Sequence, residues 1–242
     1  MRDLPFGKQC YVRIVRIEIK PCLKGASDAS GVVVIIDVFR AGNTVAACLG
    51  SGAPFVVPVR DLDDARVLKK ENPSWLLAGE RGGIKPDDFD LDNSPAAVTN
   101  LHLDHRPVIL TTSAGTLGVT AAWPRADMLL MGTLINARAV TNFILARSPR
   151  LVTLVPIGLE AREPAVEDDI VARYLADLLN GVTPDYRQAA LGMLNGPGAD
   201  RLRRLRLWRD MAYCLRKDRV CLVPRTEMLG DRLVMISGPS KP

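Results

Sequence analysis

Residues 32–36 read Val-Val-Val-Ile-Ile, and few structures accept such a run. Five consecutive β-branched residues without polar alternation form a strand buried on both faces, the pattern of a parallel sheet. The run gives way to Asp37, Arg40, Gly42, Asn43 and Thr44. An acid, a fixed cation and small polar residues thus stand just past the carboxyl end of a central strand. Open α/β sheets place their ligand crevices there. The plainer reading is a helix cap, with Asn43 or Thr44 capping a short helix over 45–49 and Asp37 solvated.

The flanking pattern favours a layered sheet. Strands are expected over 11–19 (an edge), 55–59, 75–78, 108–110, 128–131 and 151–155, with closing strands over 220–223 and 232–236. A helix ending near residue 71 has Asp61, Asp63 and Asp64 at its start and Lys69 and Lys70 at its end, as the helix dipole prefers. Ser94-Pro95 reads as a cap followed by proline at the first helical position. Helices are expected up to residue 146, over 164–179, and through most of 180–217. Alternation of strands and helices predicts an α/β fold, layered α/β/α with a largely parallel central sheet and a helical C-terminal appendage. One domain over 1–242 is expected, with 181–242 as its mostly helical part.

Composition excludes several classes. Five scattered cysteines with no CxxC pair point to reduced thiols, not a disulfide framework or zinc site. No stretch approaches the roughly 18 apolar residues of a membrane span, and the first residues lack a signal-peptide core. A cytoplasmic protein without a membrane partner is expected. The net charge of +5 favours an anionic partner without choosing one.

Polar residues collect after the expected strand ends, at 37–44, 79–93, 111–116 and 132–136. If those strands are parallel, four loops converge on one crevice. Backbone N–H groups at helix starts and the Thr and Ser hydroxyls suit oxyanions, and Arg40, Arg81 and Lys85 add positive charge. Asp37 and Glu80 suit a hard cation such as Mg²⁺, which takes one or two carboxylates with ligand oxygens and water. The residues alone thus predict a magnesium-assisted site for a small phosphorylated or multiply acidic molecule. Asp87 and Asp88 read as solvated loop acids.

Six motifs in order carry a resemblance: IDVFRAGNT at 36–44, LAGERGG at 77–83, FDLDNSP at 89–95, ILTTSAGT at 109–116, GTLINARAV at 132–140 and EDD at 167–169. In their order and spacing the chain resembles the magnesium-dependent 2-phosphosulfolactate phosphatases. The resemblance implies a layered α/β/α fold, hydrolysis of 2-phospho-3-sulfolactate to sulfolactate and phosphate, a place in coenzyme M biosynthesis in some organisms, and a homodimer. It implies catalytic roles for Asp37, Glu80 and Asp168. It implies Mg²⁺ held among Asp37, Glu80 and Glu167, with attack by water or by a carboxylate left open. Substrate contacts would come from Arg40, Asn43, Arg81, Asn93, Ser94, Thr111, Thr112, Gly115, Thr116 and Asn136. The chain departs from the family pattern at Gly42, Asn43, Asp92, Ser113 and Ala114. An amide lost at Ala114 removes a donor and an acceptor. Two alternatives follow: a phosphatase for a related phosphorylated carboxylic acid, and a non-catalytic binding protein with a degenerate site.

Other chemistries find little support. Residues 88–92, DFDLD, resemble a DxD nucleophile motif, but Gly82, Gly83 and Pro86 precede it where a buried strand is needed. No Cys-x5-Arg loop, Walker A sequence or strand-borne GxGxxG occurs. His102 and His105 read as surface residues. The arginines of 201–209 read as the solvated side of an amphipathic helix whose apolar face carries Leu202, Leu205, Trp208, Ala212 and Leu215. No nucleic-acid partner is expected.

Overall fold

The computed structural model describes residues 15–238, so part of the first expected strand lies outside the described residues. The chain opens with β1 (Arg16–Ile19), α1 (Cys22–Ser27), β2 (Gly31–Ile36), α2 (Ala41–Gly50), β3 (Val56–Val59) and α3 (Leu62–Glu71). It continues through β4 (Leu76–Gly79), β5 (Leu91–Asp92), α4 (Pro95–Val98), β6 (Val108–Thr111), α5 (Gly115–Ala122) and β7 (Ala126–Met131). Then come α6 (Ala137–Leu145), β8 (Leu151–Pro156), α7 (Val166–Leu179), α8 (Tyr186–Met193), α9 (Pro197–Arg204) and α10 (Trp208–Cys214). The hairpin β9 (Val223–Leu229) and β10 (Arg232–Gly238) follows. No helix among the described residues is long and apolar enough to cross a membrane.

β2 is buried on both faces, as its composition requires. Val32, Val34 and Ile36 pack with Val140 of α6 and Val171 and Leu175 of α7. Val33 and Ile35 face the opposite core with residues of α2, α5 and strands β3, β4 and β6. Residues 33–36 are completely removed from solvent. Each such side chain contributes roughly 1.5–3 kcal/mol of hydrophobic stabilisation.

The ten strands form one sheet in the order β1-β8-β2-β7-β9-β10-β3-β6-β4-β5. β1, β8, β2 and β7 pair in parallel, and so do β3, β6, β4 and β5. β1 takes the expected edge. The two parallel blocks are joined by the antiparallel β9–β10 hairpin, which meets β7 through Leu130–Arg225 and β3 through Met235–Val56. The largely parallel sheet with flanking helices agrees with the sequence expectation.

Several boundaries need correction. The strand expected over 220–223 starts only at Val223, because the Val220 N–H is taken by the Ile135 carbonyl. The hairpin lies between the two blocks instead of closing an edge. α2 starts at Ala41, so Asn43 and Thr44 lie inside its first turn and neither is its cap. The Asn43 amide donates to the Val38 carbonyl at 2.8 Å and its oxygen accepts from Thr133 Oγ1 at 3.0 Å, which satisfies it within a buried helix. The expected long helix through 201–215 is broken: α9 stops at Arg204, Arg206 has φ +57°, and α10 restarts at Trp208, which is exposed.

Other expectations hold. Ser94 Oγ accepts from Ala97 N at 3.2 Å, capping a turn with Pro95 in its first position. His102 and His105 are exposed. Asp88 is an exposed partner of Arg66.

Candidate active site

The carboxyl ends of β2, β4 and β6 and the starts of α7 and α9 enclose a cavity of about 30 Å³. Asp37, Glu80, Asn93, Ser113, Glu167 and Asp168 bring polar groups to it, and Arg40 and Arg201 bring charge. Ala114, Gly158, Gly198, Leu202 and Leu205 complete much of its wall. A cavity this size holds about two waters. It adjoins a groove of about 540 Å³ that runs outward past Arg162, Arg201 and Arg204.

Asp37 follows the last residue of β2 and is nearly sealed from water. The chain turns through a cis Phe39–Arg40 peptide into α2, and Ala41 N donates to Asp37 Oδ1 at 3.1 Å. Burial pushes the Asp37 carboxyl up to about 6, helped by the charge of Glu80 and opposed by Arg40. A Cβ at Gly115 would stand 2.7 Å from Asp37 Oδ2, so glycine there lets α5 start against the carboxylate.

Glu80 follows β4 and is fully engaged. Ser113 N donates to its Oε1 at 2.8 Å, and Gly83 N at 2.6 Å and Ser113 Oγ at 3.1 Å donate to its Oε2. It ties the loop after β4 to the loop after β6.

Glu167 and Asp168 open α7, where the helix N-terminus favours acids. Both oxygens of Asp168 accept backbone bonds, from Val38 N at 2.8 Å and Gly158 N at 2.9 Å, so it clamps the ends of β2 and β8 together. Glu167 Oε2 is buried with no hydrogen-bond partner, and so is Asn93 Oδ1. Two acceptor oxygens thus lie in one cavity wall without donors, a costly arrangement in an isolated protein. Burial, then repulsion from Asp37, raises the Glu167 carboxyl to about 7. The same causes, with Glu167 added, raise Asp168 well above the carboxylate range.

The arginines divide differently from the sequence expectation. Arg40 is buried, and its Nη1 donates to Asp210 at 2.9 Å and to Asp92 at 3.4 Å, while Nη2 donates to the Gly83 carbonyl at 3.2 Å. Arg81 turns away from the cavity: it donates to the carbonyls of Glu80 and Arg60 and to Thr111 Oγ1 at 2.7–2.8 Å. Arg201 stands in the cavity wall beside Arg40, and Arg81 does not. Sequence reasoning missed Arg201 by treating it as a solvated helix face. The available signal was Gly196-Pro197-Gly198 at the head of that helix. A Cβ at Gly198 would lie 1.9 Å from Glu167 Oε1, so α9 needs glycine to reach the site.

The remaining expected residues are brought near the site or hold its frame. Ser94 Oγ donates to Asp210 Oδ1 at 2.7 Å, supporting the acid that holds Arg40. Thr112 and Thr116 exchange hydroxyl and backbone bonds at 3.1 and 3.2 Å, fixing the start of α5. Asn136 and Thr133 form a capping box. The 132–136 loop therefore braces α2 and does not line the cavity, so three of the four polar loops converge there. Gly42 also lies outside the lining. A Cβ there would meet Thr133 Cγ2 at 2.8 Å, so this departure is a packing matter. Ala114 does line the cavity, with a methyl group.

Among the described residues no group of three or more His, Cys, Asp or Glu side chains is drawn together tightly enough to cage a metal. Mg²⁺ does not need one, since it keeps waters and takes one or two carboxylates with substrate phosphate oxygens. The unpartnered oxygens of Glu167 and Asn93, hard donors beside Asp37, fit such an ion.

Residues 19–228 match a family model described as 2-phosphosulpholactate phosphatase. A protein of Carboxydothermus hydrogenoformans named "Probable 2-phosphosulfolactate phosphatase" is 34% identical over 229 residues, covering 89% of this chain and 93% of its own. Proteins with the same name from Caldicellulosiruptor saccharolyticus and Thermoplasma acidophilum are 32% and 30% identical. They cover 76% and 83% of this chain and 84% and 87% of their own.

Proposed function

This chain belongs to the 2-phosphosulfolactate phosphatase family, and on that premise we propose that it hydrolyses the phosphate ester of 2-phospho-3-sulfolactate with Mg²⁺ as cofactor. It is thus a phosphoric monoester hydrolase whose products are sulfolactate and phosphate. The observation that carries the reading to this site is the pair of unpartnered buried oxygens, Asn93 Oδ1 and Glu167 Oε2, in the cavity that Asp37 also lines.

Glu167 and Asn93 would hold the metal. When bound, it offsets charge building on the phosphoryl oxygens. Asp37 takes a proton from the attacking water. Its carboxyl, held near 6, remains a base at neutral pH without being so weak that the transfer stalls. The water oxygen bonds to phosphorus, the ester P–O bond breaks, and the proton on Asp37 passes to the departing alkoxide. Glu80 keeps the loops after β4 and β6 in register through its three accepted bonds. Asp168 holds the ends of β2 and β8, and with them Asp37, in place. The homodimer expected from the family resemblance belongs to the same proposal and is read by light scattering.

The test is phosphate release from 2-phospho-3-sulfolactate with Mg²⁺ and with EDTA. Magnesium-dependent release is expected. No release from folded protein that binds the compound would mean a degenerate binder. The methyl group of Ala114 in the cavity wall favours a second reading, a related phosphorylated carboxylic acid. A panel of such esters separates it from the first.

A further inference from the structure

The proposed substrate carries a phosphate, a carboxylate and a sulfonate, while the cavity is lined by five acids: Asp37, Glu80, Glu160, Glu167 and Asp168. A multiply anionic molecule needs fixed positive charge there. Two arginines line the cavity, and they differ in what they have left to give. The Nη donors of Arg40 are committed to Asp210, Asp92 and a backbone carbonyl. Arg201 donates only Nε, to the Gly82 carbonyl at 3.3 Å, and its Nη2 stands 3.9 Å from Glu80 Oε2. Among the described residues no other bond engages its guanidinium.

Its position is equally specific. Arg201 is the one cation that lines both the inner cavity and the outer groove among the described residues. The inner cavity and the groove share Leu159, Glu160, Arg201 and Leu205, so an extended molecule with its phosphate inside runs outward past Arg201. With the phosphate held inside, the sulfonate is the remaining anionic group that reaches furthest from the ester carbon, its sulfur one bond beyond the carboxylate carbon. A planar guanidinium presents paired donors to such an oxyanion.

We propose that Arg201 is the specificity-determining residue that recognises the sulfonate of the substrate at the mouth of the cavity. This rests on the phosphosulfolactate reading above. The phosphate end is then handled by the inner residues, and the sulfonate end by a cation carried on α9.

Arg201→Gln separates the possibilities. Its partly exposed side chain makes few bonds, so the variant should unfold at the wild-type temperature. Losing a charge-assisted contact should raise KM for 2-phospho-3-sulfolactate roughly 10- to 100-fold with little change in kcat. Calorimetry in Mg²⁺ should show the same loss for 3-sulfolactate. Binding of 2-phospholactate, which keeps the phosphate and carboxylate but lacks the sulfonate, should be unchanged. Arg201→Lys should recover part of the loss, since a point charge replaces the fork. Equal weakening for 2-phospholactate, a loss in kcat with KM intact, or unchanged sulfolactate binding would overturn the assignment. Wild-type protein that binds sulfolactate without any turnover, with binding lost in Arg201→Gln, would sink the phosphatase reading and leave Arg201 standing. Wild-type protein that does neither would sink both.

Discussion

Arg40 and Asp210 meet at 2.9 Å across 170 positions of sequence, both almost wholly buried. The pair pins α10 to the turn after β2. Asp210 also accepts from Ser94 Oγ and Ala96 N, so one carboxylate holds three segments. Removing Asp210 leaves Arg40 only its longer, 3.4 Å contact with Asp92, and breaking a buried pair costs up to about 3–5 kcal/mol. Asp210→Ala should therefore lower the urea unfolding free energy by about that amount. A loss below about 1 kcal/mol would place the pair among weak surface contacts.

The buried carboxylates make metal-free stability depend on pH, with a definite sign. Asp37 is raised to about 6 and Glu167 to about 7, and Asp168 shifts the same way. The folded protein therefore binds these protons more tightly than the unfolded chain does. Their contribution is fully present below the unfolded carboxylate range near pH 4 and is lost as pH rises through 6 and 7. Thermal unfolding in EDTA should show Tm falling between about pH 5 and 7.5. A Tm rising steadily over that window would contradict this arrangement.

Asp37→Asn keeps the shape of the side chain and removes the base. Phosphate release should fall by roughly 100-fold or more, the range of general-base contributions. In EDTA at pH 7 the variant should unfold no earlier than wild type, because a raised acid has been replaced by a neutral group. Wild-type turnover in Asp37→Asn would remove Asp37 from the mechanism.

Gly198→Ala tests the fit of α9 against Glu167. The new Cβ would overlap Glu167 Oε1 at 1.9 Å, so helix or carboxylate must shift. Overpacking of this kind costs about 1–3 kcal/mol. The expected result is a lower unfolding midpoint together with weakened response to Mg²⁺ in the same thermal assay. A variant identical to wild type in both would show that α9 does not seat on Glu167.

Much of this arrangement was legible in the sequence, and the limits have physical causes. The run at 32–36 declared a doubly buried strand because hydrophobic burial is local in pattern. Ser94-Pro95 declared its cap because that bond spans three residues. The role of each arginine was not legible, since Arg40, Arg81 and Arg201 are chemically identical. What separates them is whether a distant partner occupies the guanidinium, and for Arg40 that partner is 170 positions away. Asn43 misled in the same way: its place inside α2 depends on Thr133, 90 positions on. The hairpin's location was hidden because its register with β7 and β3 rests on single residue pairs.

That hairpin has a consequence for how the protein is made. Both parallel blocks leave the ribosome before β9 and β10 do. Until the hairpin arrives, β7 and β3 each present a raw strand edge, the kind of surface on which nascent chains pair with one another. Completion of the sheet therefore waits on the hairpin, the last pair of described strands to be made, and it is the hairpin that removes both edges at once.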